Sequence, residues 1–440
     1  MENTREIACS IVSAVLEQGG QSHVVLRETL NRHPEMPGRD RHFIQCLVHG
    51  TVENLLLLDA KLNRVSKTPV NKMKPWIRTI LRTGAYQILF MEKVPASAAC
   101  NEAVKLAEKH HFHGLKGFVN GVLRAVARDP SLPEGDLALR YSTPAWLMER
   151  WQKTWGTEKT KAMMEAFLQS AKLSVRWNLS LATKDEIIQS LTGQKAALEP
   201  LPFGLPGCFL TEFERIDGLT AFQKGWIQVQ DVSSILAGEA AAPKPGSRIL
   251  DLCAAPGGKS LHLADLLRGT GEVIACDLTE KKTAMIEENL RRCGLLNLSV
   301  QVSDARVFRP EWEASFDLVM ADLPCSGLGT IGHKPEIKYR VTPESIHSLS
   351  ALQREILSAA VRYLKPGGTL VYSTCTVDAE ENIDNFRWLL ETFPLEPVPL
   401  TDVLPQGPED ESRKAGYIQL LPGTHPCDGF FISKCKRKDQ

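Results

Sequence analysis

The sequence predicts an α/β protein. A mainly parallel sheet, finished by antiparallel C-terminal strands, follows an all-helical region and a small α+β unit. Three observations carry this expectation. From about residue 236 onward, apolar β-branched runs alternate with helical stretches across glycine-rich turns, the rhythm of a sheet covered by helices on both faces. Residues 1–135 show only the helical period, and 136–235 mix the two. At 440 residues the chain is also too long for one core, so domains are expected at 1–135, 136–235 and 236–440.

The helical region opens with Ile7, Ile11 and Val15 at helical spacing. A later segment, "MKPWIRTILRTGAYQILFM", carries Lys74, Arg78 and Arg82 four apart. "GLKGFVNGVLRAVARD" gives an apolar stripe of Leu115, Phe118, Val119, Val122, Leu123 and Val126, with Lys116, Asn120, Arg124 and Arg128 on the other side. From Lys61 to Arg128 there are thirteen Lys and Arg against three acids, Glu92, Glu102 and Glu108. Such a run is either a solvated face or a phosphate-binding surface.

In the second region, "STPAWLMERWQKTWG" reads as a helix with Thr143 as cap and Pro144 at its first position. "KLSVRWNLS" reads as a strand, a helix starts near Thr183, and "CFLTEF" and "GWIQVQD" are short strands. The third region supplies strands in "SRILDLC", "GEVIACD", "LSVQVSD", "FDLVMADLPC" and "GTLVYSTCT", with helical stretches between them. "GYIQLLP" and "DGFFISKC" have no helix between them and should pair antiparallel. Ligands of such sheets gather at the carboxyl ends of the strands.

Composition excludes several classes. Lys+Arg and Asp+Glu both total 52, so net charge names no partner. Eleven scattered cysteines without a C-x-x-C pair argue against a disulfide framework or a zinc cluster, and suit free thiols in the cytoplasm. Glu2 and Glu6 stand where a secretory signal needs basic residues, and no apolar run approaches a membrane span. A soluble, cytoplasmic protein without a bound metal is expected.

"ILDLCAAPGGKS" invites two readings. A phosphate-cradling P-loop needs a glycine at position 253, which is Cys253, and Pro256 shortens the run of free amides. The alternative is a loop for S-adenosylmethionine, which needs close backbone approach, supplied by Gly257 and Gly258, and an acid for the ribose hydroxyls. Asp277 and Asp304, at the ends of the second and third strands, fit the ribose and the edge of the adenine site.

Two cysteines sit in polar turns at the same edge. Cys325 follows the fourth strand and Cys375 the fifth, so neighbouring strands should bring both thiols to one mouth. A capping box of Asp378 with Glu381 is expected just after Cys375. A thiolate added to carbon 6 of cytosine makes carbon 5 nucleophilic toward a methylsulfonium. Asp322 is placed to stabilise the adduct near ring N3, and a second thiol can assist release.

These residues resemble a known family. "DLCAAPGGK", "ADLPCSG" and "STCT" resemble the signature motifs of the RNA cytosine-C5 methyltransferases of the Sun family. "HGTVEN", "RTGAYQILFMEKVPASAACNEAV" and "GFVNGVLR" are similar to the NusB-like helical domain of bacterial members that modify small-subunit ribosomal RNA. The resemblance spans nearly the whole chain. It implies a Rossmann-like class I methyltransferase sheet, S-adenosyl-L-methionine as methyl donor and 16S ribosomal RNA as substrate; a monomer is expected, though the sequence itself leaves oligomeric state open. It further implies Cys375 as the nucleophile and Cys325 as the residue that assists release. Cys253, Ala254, Ala255, Pro256, Gly257, Gly258, Lys259, Asp277, Asp304 and Asp322 would line the donor site. "RWN", Arg176 to Asn178, resembles the family's "RVN". Leu323, Thr376 and Trp177 depart from the usual alanine, serine and valine. His333, Lys334, Lys338 and Arg340, in the loop after Cys325, are either RNA contacts or a solvated loop.

Overall fold

The structure, a computed structural model, describes residues 3–169 and 172–439. The chain forms two compact units. One comprises residues 1–164 together with Ile331–Arg340, and the other comprises 165–330 and 341–440.

Among the described residues, every regular element of the first unit is a helix. Thr4–Gln18, Gly38–Glu53, Pro75–Phe90, Ala96–Lys109 and Lys116–Arg128 are its main members. The expected stripe on Lys116–Arg128 forms. Val119, Val122, Leu123 and Val126 are buried against Ile77, Ile80, Leu81 and Ala103, while Leu115 and Phe118 flank that core. A second cluster, with Ile7, Ile11, Ile44 and Leu47 at its centre, closes the other side of the unit. The cap at Thr143 is not made. The helix is Ala145–Trp155 with Pro144 at its N-cap, and the Thr143 hydroxyl donates instead to the carbonyl of Tyr141 (3.1 Å). Having no N–H, proline also leaves that turn one fewer donor to satisfy.

Ile331–Arg340 packs as part of this helical unit. Ser22 N–H donates to Glu336 (2.8 Å), and Tyr339 hydroxyl donates to the Glu53 carbonyl (2.7 Å). Arg340 donates to the carbonyls of Val15 and Gly20 (both 2.7 Å).

In the second unit, β1 (Leu173–Trp177), β2 (Ala197–Pro200), β3 (Gly207–Thr211) and β4 (Ile227–Val229) form an antiparallel sheet in the order β2-β3-β1-β4. The main sheet contains β5 (Arg248–Asp251), β6 (Glu272–Asp277), β7 (Leu298–Val302), β8 (Phe316–Asp322) and β9 (Leu364–Thr374). It ends with β10 (Leu395–Pro397), β11 (Tyr417–Leu420) and β12 (Phe430–Arg437). Its order is β10-β12-β9-β8-β5-β6-β7, with β11 on β12. The strands β5 to β9 pair parallel, and β12 runs antiparallel to β9, β10 and β11. This is the fold class expected from the sequence.

Period-two alternation splits the sheet's apolar side chains between two cores. Ile249, Ala275, Leu318, Met320 and Val371 face one, with Ile235, Leu236, Leu261 and Ile286 from the helices Val232–Ala241, Gly258–Leu266 and Glu280–Cys293. Leu250, Ile274, Val319, Leu370 and Tyr372 face the other, with Ile356, Leu357 and Ala360 of Pro343–Tyr363. Both faces are covered, so the sheet can offer a ligand only its edge at the strand ends.

Candidate active site

The carboxyl ends of β5, β6, β8 and β9 open on a cavity of about 530 Å³, within the roughly 300–1,000 Å³ usual for small-molecule sites. Cys253, Ala255, Asp277, Asp304, Asp322, Cys325 and Cys375 all border it. A smaller cavity of about 130 Å³ adjoins through Cys253, Ala255 and Asp322, and adds Asp251, Ala254, Pro256, Gly258 and Lys259. Gly257 borders neither. It caps the helix Gly258–Leu266 at φ +103°, where a side chain would be strained and would press on Ile286 at 3.1 Å.

The loop after β5 makes one tight turn, with Gly257 N–H donating to the Ala254 carbonyl (2.6 Å). The loop's own amides are largely spent, Ala254 N–H on the Cys276 carbonyl (2.8 Å) and Ala255 N–H on Asp277 (2.9 Å), so they do not form the continuous cradle of a P-loop. Lys259 reaches Asp322 Oδ2 (2.7 Å) across the loop. The other Asp322 oxygen accepts from Ser373 Oγ (2.8 Å), so the carboxylate is held from two sides. Asp277 is buried and accepts from Ala255 N (2.9 Å) and Leu278 N (2.7 Å), with Lys282 at 3.0 Å. Asp304 lies two residues beyond β7 rather than at its end and is clasped by Arg306 (2.6 Å).

Cys325 and Cys375 face each other with their sulfurs 3.4 Å apart. The parallel pairing of β8 with β9 produces the contact, because both thiols stand just past the ends of neighbouring strands. The Cys325 thiol is pushed well up, first because it shares its proton with Cys375 and then because burial opposes its charge.

Asp251, at the end of β5, is a site residue that the sequence reading passed over. It is fully buried, and burial pushes its carboxyl up to about 7. Ser260 donates to one oxygen (2.5 Å), while Oδ1 has no hydrogen-bond partner among the described residues and stands beside the smaller cavity. A buried acceptor left without a donor is what a ligand ammonium or hydroxyl would satisfy. The available signal was an acid closing the first strand immediately before the glycine turn.

Three expectations need correction. The Asp378–Glu381 capping box does not form. The helix is Ile383–Thr392 with Asn382 at its N-cap, Asp378 accepts from Glu380 N (3.1 Å), and Glu381 reaches Ser326 instead. In the loop after Cys325, Lys338 is buried, donates to the Tyr141 carbonyl (3.1 Å), and is pushed down to about 8 by burial. Arg340 stays exposed although its Nη2 donates to two carbonyls, so of these four residues Lys338 alone is withdrawn from the surface. Of the basic helix faces, Arg78 is paired with Glu17, and Arg82 with Asp59 (2.7 Å) and Glu17 (3.3 Å). Arg124 and Arg128 are exposed and join no ion pair among the described residues.

Arg176 of β1 is buried and donates to Asp265 (2.6 Å) and Gln230 (3.1 Å), which ties the small sheet to the helix Gly258–Leu266. No group of side chains able to hold a metal occurs among the described residues, and no helix among them is long and apolar enough to cross a membrane.

The family described as 16S rRNA methyltransferase RsmB/F matches residues 239–436, the NusB family 2–128, and an RsmF/B-like ferredoxin-like domain 143–216. The chain is 34% identical over 446 residues to a Bacillus subtilis protein named probable ribosomal RNA small subunit methyltransferase B, covering 99% of each chain. It is 33% identical to ribosomal RNA small subunit methyltransferase B of Cronobacter sakazakii, again over 99% of each. Among solved structures, PH0851 superposes with a TM-score of 0.85 at 27% identity over 99% of both chains. A methyltransferase homologue from Pyrococcus horikoshii gives 0.60 at 32% identity, covering 68% of this chain and 97% of that one.

Proposed function

Given that the chain belongs to the family of 16S ribosomal RNA small subunit methyltransferases B, we propose that it methylates carbon 5 of a cytosine in 16S ribosomal RNA, in the cytoplasm, through a covalent bond to Cys375. The observation that carries this reading is the pair of thiols 3.4 Å apart on a cavity that Asp322 also borders.

When bound, S-adenosyl-L-methionine supplies an electrophilic methyl group. The residues present fit it: the orphaned Asp251 oxygen suits its ammonium, Asp277 and Asp304 suit its hydroxyl and adenine edges, and the loop from Cys253 to Lys259 supplies backbone. No metal enters the proposal.

Cys375 attacks carbon 6 of the extruded base as thiolate, and the ring electrons move to carbon 5, which takes the methyl group. Asp322, steadied by Lys259 and Ser373, faces the ring's polar edge. Cys325 keeps its proton chiefly because Cys375 shares it. Once Cys375 is bonded to carbon, that hydrogen bond is gone and Cys325 becomes more acidic. As thiolate it can then remove the carbon-5 proton, and the returning electrons expel Cys375.

The test is a pair of variants assayed with radiolabelled donor and by denaturing electrophoresis. Cys375→Ala should abolish transfer and leave no adduct. Cys325→Ala should slow release about 10²- to 10⁴-fold, the range of a positioned base, and accumulate a protein–RNA adduct. Exchange of these two outcomes would reverse the roles. Bisulfite sequencing of 16S ribosomal RNA from cells with and without the protein identifies the base, and calorimetry with S-adenosylmethionine against ATP checks the donor. Binding of ATP alone would sink the reading.

A further inference from the structure

Beneath the two thiols lies a buried polar network that the reaction above does not use. Each cysteine is followed by a hydroxyl residue, Ser326 and Thr376, and the two oxygens are 2.8 Å apart. Glu381, fully buried, accepts from Ser326 N (2.8 Å) through one oxygen and from Ser326 Oγ through the other. With Ser326 Oγ committed as donor, Thr376 Oγ1 must donate to it, and Asp378 N donates to Thr376 Oγ1 (3.3 Å). The bonds therefore run one way and end on the Glu381 carboxylate. Gln353 joins the same knot, donating to Glu381 Oε1 (3.2 Å) and to the Pro324 carbonyl (2.9 Å), just before Cys325. The next residue, Asn382, holds the other thiol's flanks through Thr374 Oγ1 and the Thr376 carbonyl.

We propose that Glu381 is a positioning residue: acting through Ser326, its carboxylate holds Cys325 against Cys375 and makes Cys325 the thiol that retains the shared proton. This rests on the thiol chemistry above and gives the site an asymmetry that two cysteines alone would lack. Among the described residues no cation pairs with Glu381. The groups facing it are Asp378, the Cys325–Cys375 pair and Tyr372, whose hydroxyl donates to the Glu381 carbonyl, with Arg354 beyond on Asn385. Burial pushes its carboxyl up to about 7. Below that pH the network loses its anionic terminus. Above it, the charge adds to the reasons Cys325 keeps its proton.

The test is iodoacetamide labelling of the full-length protein without RNA, read by mass spectrometry at each cysteine from pH 6 to 9. In the wild type, Cys375 should label faster than Cys325, and the preference should grow through pH 7. Glu381→Gln should shrink that preference about tenfold, the equivalent of one unit in thiol pKa, and remove the pH dependence. Ser326→Ala, which keeps the backbone bond to Glu381, should shift it in the same direction by less, and it decides the matter if Glu381→Gln fails to fold. A folded Glu381→Gln with wild-type preference and pH profile would overturn the proposal. Because no RNA is present, these outcomes stand apart from the methylation reading, whose own failure would appear as wild-type protein that leaves 16S RNA unmodified.

Discussion

Asp251 shows how one side chain can carry a cost that the fold tolerates. Its carboxyl is pushed from 3.8 to about 7 because it is wholly buried with a single donor. The folded state thus binds its proton more tightly than the unfolded chain does. Stability from this group is complete below about pH 4 and is lost as pH rises toward 7. Asp251→Asn, which cannot ionise, should be more stable than wild type, with an advantage that grows between pH 4 and 7 and is level above. At pH 8 the gain should be on the order of a few kcal/mol, since one pKa unit is about 1.4 kcal/mol. Urea midpoints at pH 5 and pH 8 would check it, and an equal difference at both would refute the assignment. Sequence alone could not single out this acid, because a carboxylate at a strand end looks the same whether it caps a turn or sits in a dry pocket.

Elements were legible where the signal is local. The alternation in β5 to β9 and the apolar stripe on Lys116–Arg128 record which side of each element meets a core, and neither depends on distant partners. The thiol pair was legible one step further, because strand adjacency follows from the parallel rhythm. What could not be read was partner choice over distance. Spacing shows that Arg78 and Arg82 share a helix face, but not that Glu17 and Asp59 are folded onto it. Equally, "DAEE" looks like a cap until Ser326, from another loop, claims Glu381. Arg176 and Asp265 are such a distant pair, linking the small sheet to the helix Gly258–Leu266. Asp265→Ala would leave a buried guanidinium without its counter-charge and should cost about 3–5 kcal/mol, measured as a lowered denaturation midpoint. A loss below about 1 kcal/mol would mean that Gln230 and the Trp177 carbonyl suffice for Arg176.

For the molecule as a whole, a balanced total of 52 basic and 52 acidic residues hides an uneven distribution. Many basic residues of the helical unit are neutralised internally, which leaves the exposed Arg124 and Arg128 as the clearest candidates for phosphate contact. Replacing both with glutamine should weaken 16S RNA binding and lower the slope of log affinity against log salt by about 1–2, while donor binding is unchanged. Filter binding across a salt series would show it, and an unaltered slope would return both residues to the solvated surface. The helical unit also borrows Ile331–Arg340 from far along the chain. Ser22 N–H and the carbonyls of Val15, Gly20 and Glu53 are made well before Ile331–Arg340, and must wait for their partners until residue 340 has been made. Translation order and completion order are therefore inverted, and a gene fragment stopping at residue 164 would encode a bundle with a missing piece.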